Sequence, residues 1–325
     1  MLALAFTRDR HRPELRLEEI PDPEPGAGEV LLRIHATALN HADLQQVRGL
    51  YPPPPGESTI PGLEAAGVVE AIGAGVEGWQ AGDRAMALLA GGGHAEKVAA
   101  PMGQLLRIPP SLSFAEAAAI PEVFLTAYDA LVTRGRLRPG ERVLIHAVGS
   151  GVGTAAAQIA KHLGAVVLGT SRSADKLARA LVYGLDIGID TSETPFRQAL
   201  TEPVQVILDS IGGPAFGDNL AVLAPQGRLV LLGHLGGTRT TADLGPMVRN
   251  RLEVIGTAMR VRTLEERKTL IADFEQRMLP LFDRRIEQAA PLRPVLQTTF
   301  PMERIADAHR LLESNETFGK VVVEW

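Results

Sequence analysis

Apolar and polar positions along this chain follow two styles that change near Pro121. Before it, short period-two alternations such as Glu29-Val-Leu-Leu-Arg-Ile-His35 and Ala66-Gly-Val-Val-Glu-Ala-Ile72 stand between Gly and Pro residues, with no long helical pattern. That predicts a compact, irregular β domain. After Pro121, apolar strands at 143–147, 166–170, 206–209, 228–232 and 254–257 alternate with helical stretches, which predicts a parallel, doubly wound sheet. Beyond Arg262 a charged amphipathic helix over 264–281 precedes β-like segments at 296–300 and 320–324, with a helix near 302–315 between them. The tail returns to the style of the first part. The expected fold is therefore α/β, with a β-rich domain over residues 1–121 and 262–325 and a Rossmann-type domain inserted over 122–261.

Within the second part, the segment Val143 to Ser173 reads as one β-α-β dinucleotide-binding unit. Its strand is Arg142-Val-Leu-Ile-His146, its turn is Gly149-Ser-Gly151-Val-Gly153, and Val152, Ala155, Ala156, Ile159, Ala160 and Leu163 form the apolar face of the helix that follows. The strand Ala165-Val-Val-Leu168 closes the unit. A pyrophosphate must reach backbone N–H groups at the helix N-terminus, where a Cβ would hold it off, so Ser150, Gly151, Val152 and Gly153 are cofactor-binding candidates. About twenty residues beyond Gly151, where an NAD enzyme carries an acidic residue for the ribose, stands Thr170-Ser171-Arg172-Ser173, followed by Lys176. Ser171, Arg172 and Lys176 suit a 2′-phosphate, and the cofactor expected is NADPH. Asp175 dilutes that charge, which leaves an ordinary solvated turn as the other reading.

Composition narrows the function classes. The 325 residues are 45% hydrophobic and 22% charged, the profile of a soluble globular protein with room for two cores. A net charge of −5 gives no footprint for nucleic acid or for an anionic membrane. No apolar run approaches a membrane span, and Arg8, Arg10, His11 and Arg12 follow rather than precede the short apolar start, the wrong order for a signal peptide. A cytoplasmic location is the expectation. Zero cysteines remove disulfides, thiolate nucleophiles and cysteine-based metal sites, and the eight histidines form no ligand pair, so no metal is expected.

The motifs Ala38-Leu-Asn40-His-Ala-Asp43, Gly49-Leu-Tyr51-Pro-Pro, Pro61-Gly-Leu-Glu64-Ala-Ala-Gly67, Gly82-Asp83-Arg84-Ala85, Ala118-Ala-Ile120-Pro121, Thr126-Ala-Tyr128, Ser150-Gly-Val-Gly153, Asp209-Ser-Ile-Gly-Gly213 and Phe318-Gly319-Lys320 run in one order across nearly the whole chain. In that order the chain resembles the zinc-free, zeta-crystallin-like quinone oxidoreductase branch of the medium-chain dehydrogenase/reductase superfamily. The resemblance implies a GroES-like catalytic domain plus a Rossmann domain, NADPH as cofactor and a homodimer. Zinc-dependent alcohol dehydrogenases carry Cys where this chain has Asn40 and His where it has Leu63, so two metal ligands are missing. In the quinone branch a tyrosine commonly follows the third Rossmann strand, near the 2′-phosphate. Asp190 or Thr191 stands there instead.

Hydride transfer to a carbonyl builds negative charge on oxygen, and without a Lewis acid the acceptor must itself be electrophilic or be protonated. A quinone meets the first condition. Tyr51, on the proline-stiffened loop Tyr51-Pro-Pro-Pro-Pro-Gly56, is the candidate hydrogen-bond or proton donor, its other reading being a phenol packed on the prolines. Asn40, placed by the resemblance near the nicotinamide or the substrate carbonyl, is a candidate for catalysis and cofactor binding, or a turn residue. Asp43 and Glu64 read as cap or buried salt bridge. Thr126 is expected by the nicotinamide or in helix packing. Ile211, Gly233, His234 and Leu235 lie in loops at carboxyl ends of strands, where doubly wound sheets bind ligands. Phe318 and Lys320 are expected either at the nicotinamide or in an edge strand. Reduction of a quinone leads, ahead of double-bond reduction in an enone or alkenal and of non-catalytic nucleotide binding.

Overall fold

The computed structural model describes residues 1–7, 9, 13–283 and 291–325. The basic positions Arg8, Arg10, His11 and Arg12 lie outside the described residues. Two compact units form, one of Met1–Leu125 with Met259–Trp325 and one of Thr126–Ala258.

In chain order the first stretch holds β1 (Leu2–Phe6), β2 (Leu15–Glu19), β3 (Glu29–Ala38), α1 (His41–Val47), β4 (Glu64–Ile72), β5 (Arg84–Leu88), β6 (Lys97–Pro101), β7 (Leu105–Arg107), α2 (Phe114–Ala118) and α3 (Pro121–Tyr128). The nucleotide unit follows with β8 (Arg142–Ile145), α4 (Gly151–His162), β9 (Val166–Ser171), α5 (Ala174–Ala180), β10 (Ile187–Asp190), α6 (Phe196–Ala199), β11 (Val204–Asp209), α7 (Gly213–Val222), β12 (Leu223–Leu231), α8 (Gly245–Asn250) and β13 (Glu253–Gly256). The tail adds α9 (Leu264–Arg277), β14 (Leu296–Pro301), α10 (Ile305–Glu313) and β15 (Lys320–Glu324).

The first unit is built on a seven-stranded sheet in which β14, β15, β3, β4, β5 and β7 are neighbours in that order and β6 also pairs with β3. Bulges interrupt the β3–β4 register between Leu31 and Leu32 and between Ile34 and Ala36. The alternation along β3 sorts as expected: Val30, Leu32 and Ile34 pack with Ala65, Val69, Ala85 and Ala87 while Arg33 stays exposed. The tail strand β15 pairs antiparallel with β3 through Val322, Val323 and Glu324, which carries Lys320 to the end of β3 where Asn40 begins α1. The expected helix over 264–281 ends at Arg277, because Pro280 has no N–H to continue it and a 3₁₀ turn takes over at Leu279–Phe282. Likewise 302–304 are 3₁₀ and only Ile305–Glu313 is α-helix.

The nucleotide unit is a six-stranded, all-parallel sheet of order β10-β9-β8-β11-β12-β13. Its central strands are buried on both faces, which is why they read as continuous apolar runs. The order turns at β8, so α4 begins at the carboxyl edge where such sheets bind ligands. Here Gly153 is a packing requirement: a Cβ would stand 2.5 Å from the Ala147 carbonyl and 2.7 Å from Val148 backbone. Gly153→Ala is expected to push α4 off β8, lower stability by about 1–3 kcal/mol and weaken nucleotide binding. Urea unfolding of the full chain checks this, and an unchanged midpoint would contradict it.

Candidate functional site

Chemistry in the first unit gathers where β3 gives way to α1. Asp43, in the first turn of α1, accepts the Asn40 N–H at 2.8 Å with one oxygen and the Gly62 N–H at 3.1 Å with the other. Gly62 has φ +105°, and a Cβ on it would meet the His94 nitrogen at 2.4 Å. Asp43 thus takes a capping role, as the third helical residue of a capping box whose N-cap is Asn40. Glu64, the first residue of β4 and fully buried, takes the other expected role of a buried salt bridge. Its Oε1 accepts from Lys320 Nζ at 2.8 Å and from Asn40 Nδ2 at 2.9 Å, and its Oε2 accepts the Glu122 N–H at 2.8 Å.

Lys320 also donates to Leu39 O at 2.7 Å and to Asn40 Oδ1 at 2.6 Å, which with Glu64 uses all three of its N–H bonds. Asn40 gives its second amide N–H to Ala38 O at 3.3 Å. Asn40 and Lys320, expected at the nicotinamide, spend their donors inside this network. Phe318, expected beside them, has a fully buried ring, and its N–H donates to Gln297 Oε1 at 3.1 Å.

Tyr51 is half-buried, and its loop is held at several points. The Arg260 guanidinium lies 5.0 Å over its ring, donates to its carbonyl at 3.0 Å, and reaches Gln46 Oε1 at 2.7 Å. Gln46 in turn donates to Thr59 O at 3.0 Å, and Arg267 pairs with Glu57 at 3.0 Å. The loop is fixed by these contacts as well as by its prolines. Burial and the nearby Glu122 carboxyl push the Tyr51 phenol up, with Arg260 pulling the other way.

Glu122 lies in the first turn of α3, where its N–H donates to Glu64, and its own carboxyl has no hydrogen bond among the described residues. Burial, reinforced by Glu64, pushes it up to about 8, against the pull of Lys320 and Arg260. Burial also raises Asp43 and Glu64, opposed by the backbone N–H groups on Asp43 and by Lys320 on Glu64. His94 and His309, 6.0 Å apart edge to face, are held neutral by burial, each with its pKa near 3.

In the nucleotide unit, Ser150 caps α4 by accepting the Gly153 N–H at 3.0 Å. The N–H groups of the first helical turn, those of Gly151 and Val152 among them, have no carbonyl within the helix and suit a pyrophosphate. At the end of β9, Ser171 Oγ accepts the Ser173 N–H at 3.1 Å and Ser173 caps α5 through the Lys176 N–H at 3.3 Å. Arg172 is exposed and Lys176 half-buried on the same short turn. Across the sheet Asp190 pairs with Ser171, but its carboxylate is turned onto Ser192, N–H at 2.9 Å and hydroxyl at 2.6 Å. Thr191 instead donates to Ser171 O at 3.2 Å. The loops after β11 and β12 knit together at the carboxyl edge, with Leu235 N–H on Ser210 O at 3.0 Å and Gly236 N–H on Ile211 O at 2.8 Å. Gly233 is half-buried there, and His234 and Leu235 are exposed. Thr126 is half-buried on α3.

Beneath this edge runs a buried chain of hydrogen bonds that sequence reasoning missed. Asn219 donates to the Asp209 carboxylate at 2.9 Å, so its Oδ1 faces His146 Nε2 at 2.7 Å and that nitrogen carries the proton. His146 Nδ1 then accepts from Thr170 Oγ1 at 2.9 Å. Asp209 holds the Ile211 and Gly212 N–H groups at 2.6 and 3.1 Å, which sets the ligand-side loop. Glu122 and Arg260 were missed as well. A Pro-Glu pair opening a helix was a readable signal for Glu122, whereas Arg260 sits 209 residues from Tyr51 in sequence and carried none.

Among the described residues, no group of three or more His, Asp or Glu is placed to hold a metal, and no helix is long and apolar enough to cross a membrane. Residues 26–110 match the model of the alcohol dehydrogenase GroES-like domain and residues 151–282 that of the zinc-binding dehydrogenase. The human synaptic vesicle membrane protein VAT-1 homolog is 31% identical over 93% of this chain and 80% of its own length. Acryloyl-coenzyme A reductase of Sulfurisphaera tokodaii is 27% identical over 95% of this chain and 96% of its own length. Among solved structures, the quinone oxidoreductase from Thermus thermophilus, known also as its NADPH complex, is 35% identical and superposes with a TM-score of 0.83 over 100% of both chains. With its GroES-like unit, its Rossmann-type sheet and these relatives, the chain belongs to the medium-chain dehydrogenase/reductase superfamily, as an oxidoreductase.

Proposed function

We propose that this protein is an NADPH-dependent quinone reductase of the zeta-crystallin-like branch, working without a metal. The observation that carries the reading is the turn between β9 and α5, where Ser171, Arg172, Ser173 and Lys176 cluster and the carboxylate across the sheet, Asp190, is bound to Ser192. Cations and hydroxyls on that turn favour a 2′-phosphate. Likeness to the Thermus thermophilus quinone oxidoreductase, 35% over the whole chain, supports both cofactor and acceptor.

Bound NADPH supplies the hydride. The Ser150–Gly153 turn receives its pyrophosphate through backbone N–H groups, and the Arg260-pinned loop presents Tyr51 as a hydrogen-bond donor to the acceptor oxygen. A quinone needs little further polarisation because reduction makes it aromatic. The second reading, double-bond reduction of an enone, is favoured by the similarity to acryloyl-coenzyme A reductase. A homodimer in the cytoplasm, with small-molecule substrates and no nucleic-acid or membrane partner, belongs to the same reading, in line with the net charge of −5.

Lys176→Ala is expected to weaken NADPH binding by about 1.5–3 kcal/mol and leave NADH nearly unchanged. Fluorescence titration with both nucleotides measures this, and equal wild-type affinities for the two would overturn the cofactor assignment. Steady-state kinetics with one ortho-quinone, one para-quinone and one alkenal test the acceptor. A quinone should show the highest kcat/KM, and Tyr51→Phe should cost on the order of tenfold with it. A clear preference for the alkenal would promote the second reading.

A further inference from the structure

Reduction by hydride needs a proton as well, and the first unit contains one carboxyl arranged differently from its neighbours. Asp43 holds two backbone N–H groups and Glu64 holds Lys320, Asn40 and a backbone N–H, so both are saturated and fully buried. Glu122 is half-buried, its carboxyl has no hydrogen-bond partner among the described residues, and it lies close enough to Tyr51 to raise the phenol's pKa. Its backbone N–H is given to Glu64 Oε2 at 2.8 Å, which draws a second carboxylate to the same helix turn.

We propose that Glu122 is the general acid of the reaction and delivers the proton that accompanies the hydride. The proposal rests on the reductase reading above. Glu122 breaks its O–H bond and protonates the acceptor atom left electron-rich by the hydride, forming O–H on a quinone or C–H on an enone. The acceptor gains two electrons, NADPH is oxidised to NADP⁺, and the Glu122 carboxylate recovers its proton from water.

Electrostatics agree with this division of roles. The charged groups facing Glu122 are Glu64 on β4, Asp43 on α1, Lys320 on β15 and Arg260 before α9. Lys320 is committed to Glu64 and Arg260 to Tyr51 O, Gln46 and Ala90 O, so neither forms an ion pair with Glu122. Burial and Glu64 therefore keep it protonated at neutral pH. A donor with a pKa near 8 delivers a proton at pH 7 far better than a phenol raised above its usual value of 10.

The test compares wild type, Glu122→Gln and Glu122→Asp, each with its best acceptor, from about pH 6 to about pH 10, spanning the acid's pKa. Wild-type kcat/KM should fall above a pKa near 8. Glu122→Gln should lose that limb and roughly 10²–10⁴-fold in kcat/KM, with NADPH affinity held, while Glu122→Asp keeps the limb. An unchanged pH profile in Glu122→Gln would overturn the proposal. A readout free of turnover is the ¹³C titration of labelled glutamate carboxyls, assigned by difference against Glu122→Gln. A wild-type midpoint near 8 supports the proposal, and a midpoint in the ordinary carboxylate range sinks it. Failure of the wild type to reduce any quinone or enone would count against the reductase reading and leave the carboxyl titration to decide the protonation of Glu122.

Discussion

Everything in the catalytic unit hangs on the buried pair of Lys320 and Glu64. It joins the last strand of the chain to the head of β4 and to the turn that starts α1, three segments distant in sequence. An ion pair with 4% and 0% side-chain exposure is not a large source of stability by itself, since desolvating both charges offsets most of their attraction. Breaking it by removing one partner is another matter and costs about 3–5 kcal/mol, because the remaining charge is stranded. What the pair provides is definition. With Asn40 and two backbone carbonyls saturating the donors of this cluster, the end of β3 has one arrangement.

The same saturation assigns the remaining roles. Of two neighbouring carboxyls, the one paired with a cation keeps its charge more readily than the other. Glu64 has Lys320, whereas Glu122 has no cation bound to it and is pushed up to about 8 by burial and by Glu64. A helix N-terminus ordinarily favours the carboxylate anion, and at Glu122 burial overrides that preference with Glu64 adding to it. Glu64 also takes the Glu122 backbone N–H, which holds the two carboxyls near each other. Arg260 contributes in parallel by holding Tyr51, Gln46 and the Ala90 carbonyl from over the phenol ring.

Local rules made much of the fold legible. The β8–α4 turn, the strands of the parallel sheet and the alternation on β3 are written in periodicity and glycine placement within windows of a few residues, and the structure follows them. The β14 and β15 segments also show their β pattern, though their joining to β3 depends on pairing across most of the chain. The site was legible in part. Tyr51 stood out by its prolines, and the cap and salt-bridge roles of Asp43 and Glu64 were visible in outline. The hydrogen bond between Asn40 and Lys320 was not legible, because it joins residues 280 positions apart in sequence. Glu122 carried a local signal, an acidic residue after a helix-starting proline, but that signal ordinarily marks a surface position, and its burial beside Glu64 comes from segments distant in sequence.

The roles in the site turn on where one proton sits, on Glu122 rather than on Glu64, which faces Lys320. Neutron diffraction from deuterated crystals near neutral pD locates it directly. A deuteron on the Glu122 carboxyl and a bare Glu64 carboxylate facing Lys320 are expected. A deuteron on Glu64 with Glu122 bare would contradict that placement.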